Sequence, residues 1–170
     1  PHGQGFIRSS YSSFTGHLVN GVRQGLGVMF AGNEAYQGNF ENDLYHGIGK
    51  LTIANIGVYE GPFHEGKFHG QGKFTWFDGT VYEGDFKEDA SDGQGELRFI
   101  DGKVYRGQFK GNFPHGKGVL TFPGGLECRG DFCLGKLHGR DCKIFYPNGD
   151  IYVGEVAEGR RQGKGSMIKL

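Results

Sequence analysis

The chain repeats itself. "YEGPFHEGKFHGQGKFTWFDGTV", from Tyr59 to Val81, is followed by "YEGDFKEDASDGQGELRFIDGKV" and then by "YRGQFKGNFPHGKGVLTFPGGLE". After a partial repeat over 1–13, units open at Phe14, Tyr36, Tyr59, Tyr82, Tyr105, Cys128 and Tyr152, at spacings of 22, 23, 23, 23, 23 and 24 residues. The third and twelfth positions are Gly in all seven units, and the fourteenth is Gly in six, with Asp141 the exception. A period of this length makes each unit one supersecondary element that buries its apolar face only against its neighbours. It predicts a single array over residues 1–170.

Each unit reads as a β-hairpin. In its first strand Tyr82, Gly84 and Phe86 alternate with Glu83, Asp85 and Lys87, the period of two that puts successive side chains on opposite faces. The eighth position is Gly, Asp or Asn in every unit (Gly21, Asp43, Gly66, Asp89, Asn112, Gly135, Gly159), as a tight loop with positive φ requires. The second strand continues at the same period through Gly70, Gly72, Phe74 and Trp76. Asp78-Gly79, Asp101-Gly102 and Asn148-Gly149 then turn the chain into the next hairpin. The strand glycines leave room for a ring to lie flat on backbone. The expected fold is all-β: an elongated, twisted antiparallel sheet of stacked hairpins, a solenoid on the order of 70 Å long at ~4.8 Å per strand.

Composition narrows the function classes. Gly occupies 34 positions, but 15 Phe and 8 Tyr supply too much apolar surface for a disordered chain. Lys and Arg balance Asp and Glu at 19 each, so the basic excess of a nucleic-acid binder is missing. The three cysteines all fall between Cys128 and Cys142, an odd count that argues against a disulfide framework and for a reducing cytoplasm. The chain opens "PHGQG", without Met and in mid-repeat, and is expected to be a piece of a longer array with no secretion signal.

The pattern "YEGxFxxGxxHGxGxxxxxDG" resembles the MORN repeat (membrane occupation and recognition nexus), and the likeness runs through essentially the whole chain. It departs from that pattern at Cys128, Asp141 and Asp92, and at Gln24 and Gln162 where His is usual. The resemblance implies an extended sheet of hairpins serving as a scaffold or partner-binding module in cytoskeletal or membrane-associated assemblies, in some members appended to an enzyme.

No catalytic constellation is expected. His2, His46, His69, His115 and His138 share one repeat position just before the recurrent Gly, so they serve the hairpin rather than a reaction. The recurring Gly-x-Gly lies within strands and precedes no helix, unlike a phosphate loop. "CRGDFCLGKLHGRDCKIFY" is the irregular stretch. Cys128 takes the Tyr position as a small apolar residue. Cys133 and His138 flank a hairpin loop and supply two zinc-type ligands, which two chains would complete to a tetrahedral intermolecular site. No cofactor is otherwise required.

The reading is a non-enzymatic scaffold, cytoplasmic and cytoskeleton-associated. Its partner face would carry Tyr36, Phe40, Tyr59, Phe63, Trp76, Tyr82, Phe86, Tyr105 and Phe109, inner rings being core, with Phe68 and Phe113 as exposed neighbours. A homodimer is expected through the C-terminal repeats, using Phe132, Phe145, Tyr152, Met167, Ile168 and Leu170. Two alternatives stand beside it. One is a phospholipid-binding module, for which the alternating charges build no basic stripe beyond Arg160, Arg161 and Lys164. The other is a substrate-positioning module of an enzyme whose catalytic domain lies elsewhere.

Overall fold

In a computed structural model, which describes residues 2–170, the chain forms antiparallel strands and no helix among those residues. It divides into two compact units: residues up to Gly79 with Asp85–Asp89, and Thr80–Gly84 with Ala90–Leu170. The first unit contains β1 (Gly3–Arg8), β2 (Ser12–Val19), β3 (Val22–Ala31), β4 (Glu34–Glu41), β5 (Leu44–Ile53), β6 (Gly57–His64), β7 (Lys67–Phe68) and β8 (Gly70–Trp76). Strand β9 (Val81–Lys87) is divided between the units at Gly84. The second contains β10 (Ala90–Arg98), β11 (Val104–Lys110), β12 (Phe113–Thr121), β13 (Glu127–Cys133), β14 (Lys136–Leu137), β15 (Gly139–Phe145), β16 (Ile151–Ala157) and β17 (Arg160–Ile168). Within each unit successive strands pair antiparallel, β7 with β8 and β14 with β15 acting as one interrupted strand.

Within each unit the core consists of rings lying on glycine. Tyr36 and Tyr59 in the first unit, and Tyr82 and Tyr105 in the second, are buried to within 1% exposure. Glycine makes this arrangement feasible. A methyl group built on Gly61 would lie 2.7 Å from the Tyr59 hydroxyl and 2.8 Å from the Gly72 Cα, so only a missing side chain lets the ring settle on the backbone. The hydroxyl then donates to the carbonyl three residues on, Tyr36 to Asn39 at 2.8 Å, Tyr59 to Pro62 at 2.8 Å and Tyr105 to Gln108 at 2.9 Å. This removes the penalty of burying a polar group.

The rings also cover one another. In the first unit Tyr36 meets Phe40 and Phe63 edge-on at 5.1 and 5.2 Å and stacks on Tyr45 at 3.8 Å, while Tyr59 stacks on Phe68 at 3.9 Å. In the second, Tyr105 meets Phe109 and Phe132 edge-on at 5.2 and 4.9 Å. Both geometries suit the aromatic quadrupole.

Each repeat from the one opening at Phe14 turns its tip through two residues with φ above zero, from Asn20 and Gly21 to Glu158 and Gly159, the geometry whose twist matches the flanking strands. Position eight was legible from its Gly, Asp and Asn. Position seven was not, because Glu65, Glu88 and Leu134 occupy it at φ of 49°, 50° and 48°. From Asp43 onward, a backbone rung then joins each tip to the repeat before it. The eighth-position N–H donates to the preceding repeat's tenth-position carbonyl: Gly66 to Tyr45 at 2.8 Å, Asn112 to Ser91 at 3.1 Å, Gly135 to Pro114 at 3.0 Å and Gly159 to Leu137 at 2.9 Å. Where the tip is Asp or Asn, its side chain returns a second bond, as Asp89 does to the Phe68 N–H at 2.8 Å and Asn112 to the Ser91 N–H at 2.9 Å.

The repeat opening at Cys128 corrects one expectation. Strand register pairs Gly118 with Gly130, but Cys142 with Gly154, across a shift between Gly139 and Cys142. Cys142, not Asp141, therefore stands at the glycine position. The extra residue of the 24-residue spacing is absorbed as a bulge at 140–141.

Candidate functional site

A residue that fills the core cannot also meet a partner without leaving it. Of the rings expected on the partner face, Tyr36, Phe40, Tyr59, Phe63, Tyr82, Phe86, Tyr105 and Phe109 are all buried. Phe68 is half-buried against Tyr59, whereas Trp76 and Phe113 are 38% and 52% exposed. Accessible apolar surface also lies on the opposite face of the first unit. Leu26 and Ile48 there are 68% and 64% exposed, and Phe6 and Phe30 are also open to solvent. These residues occupy the face that alternation alone marks as polar, and an open Leu or Ile singly carries little signal. Register would have exposed the cluster: Leu26 pairs with Asn39, and Ile48 with Pro62, on the same side as Val28 and Gln37.

A trough of about 600 Å³ runs over this face of the first unit. Its floor is the backbone of Gly16, Gly27, Gly38, Gly49 and Gly61. Leu26 and Ile48 line it, together with polar groups that include Gln37 and the Lys50–Glu60 ion pair at 3.1 Å. The glycines thus act on both faces, seating rings on one and leaving a depression on the other.

The equivalent repeat positions of the second unit are chemically different. Arg106 and Arg98 both engage Glu96, Arg129 engages Glu127, and Lys117 meets Asp131 at 2.8 Å. Arg129 also covers the half-buried Phe145 ring at 4.8 Å. Charges paired in this way build no basic stripe for anionic lipid.

Of the residues expected at a dimer interface, Phe132 and Tyr152 are buried, Phe145 is half-buried, and Met167, Ile168 and Leu170 are 39%, 51% and 92% exposed. Every residue of β17 is exposed, and within its unit β17 pairs with β16 among the described residues. Tyr152 donates to Glu155 at 2.8 Å as its counterparts do, and Arg161 lies over its ring at 5.4 Å.

Cys133 and His138 are both exposed, and the three cysteines are free thiols. Among the described residues, no group of three or more His, Cys, Asp or Glu side chains converges where a metal could be held. The two expected ligands therefore do not make a complete site within one chain.

Among curated proteins none is significantly similar to this chain. The MORN repeat family matches residues 14–33, 36–55, 59–81, 82–104, 105–127 and 152–169. The stretch between the last two matches holds the Cys128 repeat, which departs in sequence yet keeps the strand register. Repeats of this kind are non-catalytic modules for protein or membrane interaction. With six matches over most of its length, the chain belongs to the MORN repeat family.

Proposed function

We propose that the chain is a scaffold that self-associates through its C-terminal repeats and receives a protein partner on the first unit, in a cytoskeletal or membrane-associated assembly of the cytoplasm. The observation that carries this reading is β17, a nine-residue strand exposed along its whole length and, within its unit, paired on one side only among the described residues. An unpaired strand edge presents a row of backbone donors and acceptors, which a second strand satisfies. Met167 and Ile168 add apolar contact beside that edge. The partner surface is the trough, where Leu26 and Ile48 offer apolar anchors and the Lys50–Glu60 pair a polar rim. Cys133 and His138 from two copies would supply the four ligands of an intermolecular zinc, a subsidiary means of joining the same regions.

Molar mass by light scattering tests self-association. A dimer at micromolar concentration is expected, falling to a monomer in the Met167→Lys/Ile168→Lys variant. A wild-type monomer refutes it. A dimer that dissociates only with chelator transfers the role from the strand edge to Cys133 and His138.

A further inference from the structure

Three imidazoles stand in a row on the first unit. His46 lies on β5 and His64 ends β6; the register Gly47↔Phe63 makes these two the next facing pair. Their ring centroids are 5.3 Å apart, and those of His64 and His69 are 5.6 Å apart. A metal bound to a ring nitrogen at ~2.0–2.1 Å lies about 3 Å from the ring centroid, so two rings sharing one tetrahedral ion have centroids about 5 Å apart. Both pairs lie close to that centroid spacing, and His64 is common to both.

The surroundings favour the same use. A Glu41 carboxylate oxygen lies 3.1 Å from His46 Nε2. That contact orients the ring and reserves the other nitrogen as a donor, as carboxylates do behind metal-ligating histidines. Lys67 faces His64 across the hairpin, but its ammonium is engaged by Glu88, which keeps a competing cation off the imidazoles. His64 and His69 are exposed, so an ion can reach them.

We infer that His46 and His64, with His69 as the alternative second donor, form a two-imidazole site for a divalent transition ion of the zinc–copper class, oriented by Glu41. Imidazole suits zinc, copper and nickel, while calcium and magnesium require oxygen donors. Two protein donors leave the remaining coordination positions to water or to a donor from a bound partner.

Isothermal titration of the whole chain, in a Cys133→Ser background to remove the exposed thiol, tests the site. After dialysis against chelator, one equivalent of Cu²⁺ or Zn²⁺ should bind, Cu²⁺ more tightly. His64→Ala should weaken binding by at least about tenfold, and Glu41→Gln by about tenfold, the usual cost of losing an orienting carboxylate. His115→Ala, the counterpart of His46 and His69 in the second unit, should change nothing. Electron paramagnetic resonance of the Cu²⁺ form should show two imidazole nitrogens. His64→Ala binding as tightly as its parent, or a copper spectrum without two imidazole nitrogens, overturns the inference. Both variants change exposed side chains, and an unaltered circular dichroism spectrum verifies that each is folded.

Discussion

The repeat opening at Tyr105 and the one opening at Cys128 share a strand register but fill the space above the sheet from different positions. In the first, Tyr105 reaches over two glycines, Gly107 and Gly118, and its hydroxyl finds the Gln108 carbonyl at 2.9 Å. In the second, the opening residue is small, and Cys142 grows into the vacated volume from the facing strand. A methyl group built on Gly130 would lie 3.1 Å from Cys142 Sγ and 3.2 Å from Leu137 Cδ1, where its counterpart on Gly107 would meet the Tyr105 hydroxyl. The thiol even takes over the polar contact, at 3.7 Å from the Gly139 carbonyl. Glycine and tyrosine in this fold are therefore one choice made at two positions, and changing one demands changing the other.

The largest effect should come from breaking that pairing in the Tyr105 repeat. Gly118→Ala puts a methyl group into the ring and should cost about 3 kcal/mol, as overpacking does, measured by urea denaturation. Cys128→Tyr should be next, at about 2 kcal/mol for the same reason. The sharper result lies in the double variant: Cys128→Tyr with Cys142→Gly should recover most of the loss, a coupling of the sort expected for side chains sharing one volume. If the two substitutions simply add, the compensation described above is wrong.

Alkaline pH should separate the two repeats by their onset. Burial pushes the Cys128 and Cys142 thiols above their ordinary 9.0 and the Tyr105 hydroxyl from 10.0 to about 12. In each case the folded chain holds the proton more tightly than the unfolded chain. The stability is thus complete below the unfolded value and lost as pH rises through the folded one. Hydrogen exchange should show β13 and β15 losing protection from just above pH 9, and β11 and β12 only above pH 10. Simultaneous loss would mean that the repeats unfold as one. The smallest effect belongs to Lys117→Ala, which removes an exposed ion pair with Asp131 between these repeats. Its thermal midpoint should stay within error of the wild type.

Much of this architecture was readable because a repeat states its rules several times. Tyr82 and Phe86 alternating with Glu83 and Lys87 indicated the buried face, and the residues at position eight indicated the tip. Alternation says which way a side chain points, however, and not whether its neighbours will cover it. Tyr36 and Tyr59, expected on the partner face as inner, core-forming rings, are enclosed by mutual packing. Leu26 and Ile48 are open to solvent, and only the register of successive strands brings them onto one face. The His46–His64–His69 row escaped notice for a related reason. His64 lies outside the shared histidine position, and only the register brings it beside the two that occupy it.

The rung from each hairpin tip to the preceding repeat uses a backbone N–H and a backbone carbonyl, so it recognises a conformation and not a side chain. Tyr45, Ser91, Pro114 and Leu137 all serve equally as acceptors. Such a joint is interchangeable. A duplicated or deleted module of 23 residues would present the same plug and the same socket to whatever flanks it, leaving each junction intact. Arrays of this kind can accordingly change length by whole modules in a single genetic event, while a module one residue too long must find a place to hide the excess, as the bulge at 140–141 does.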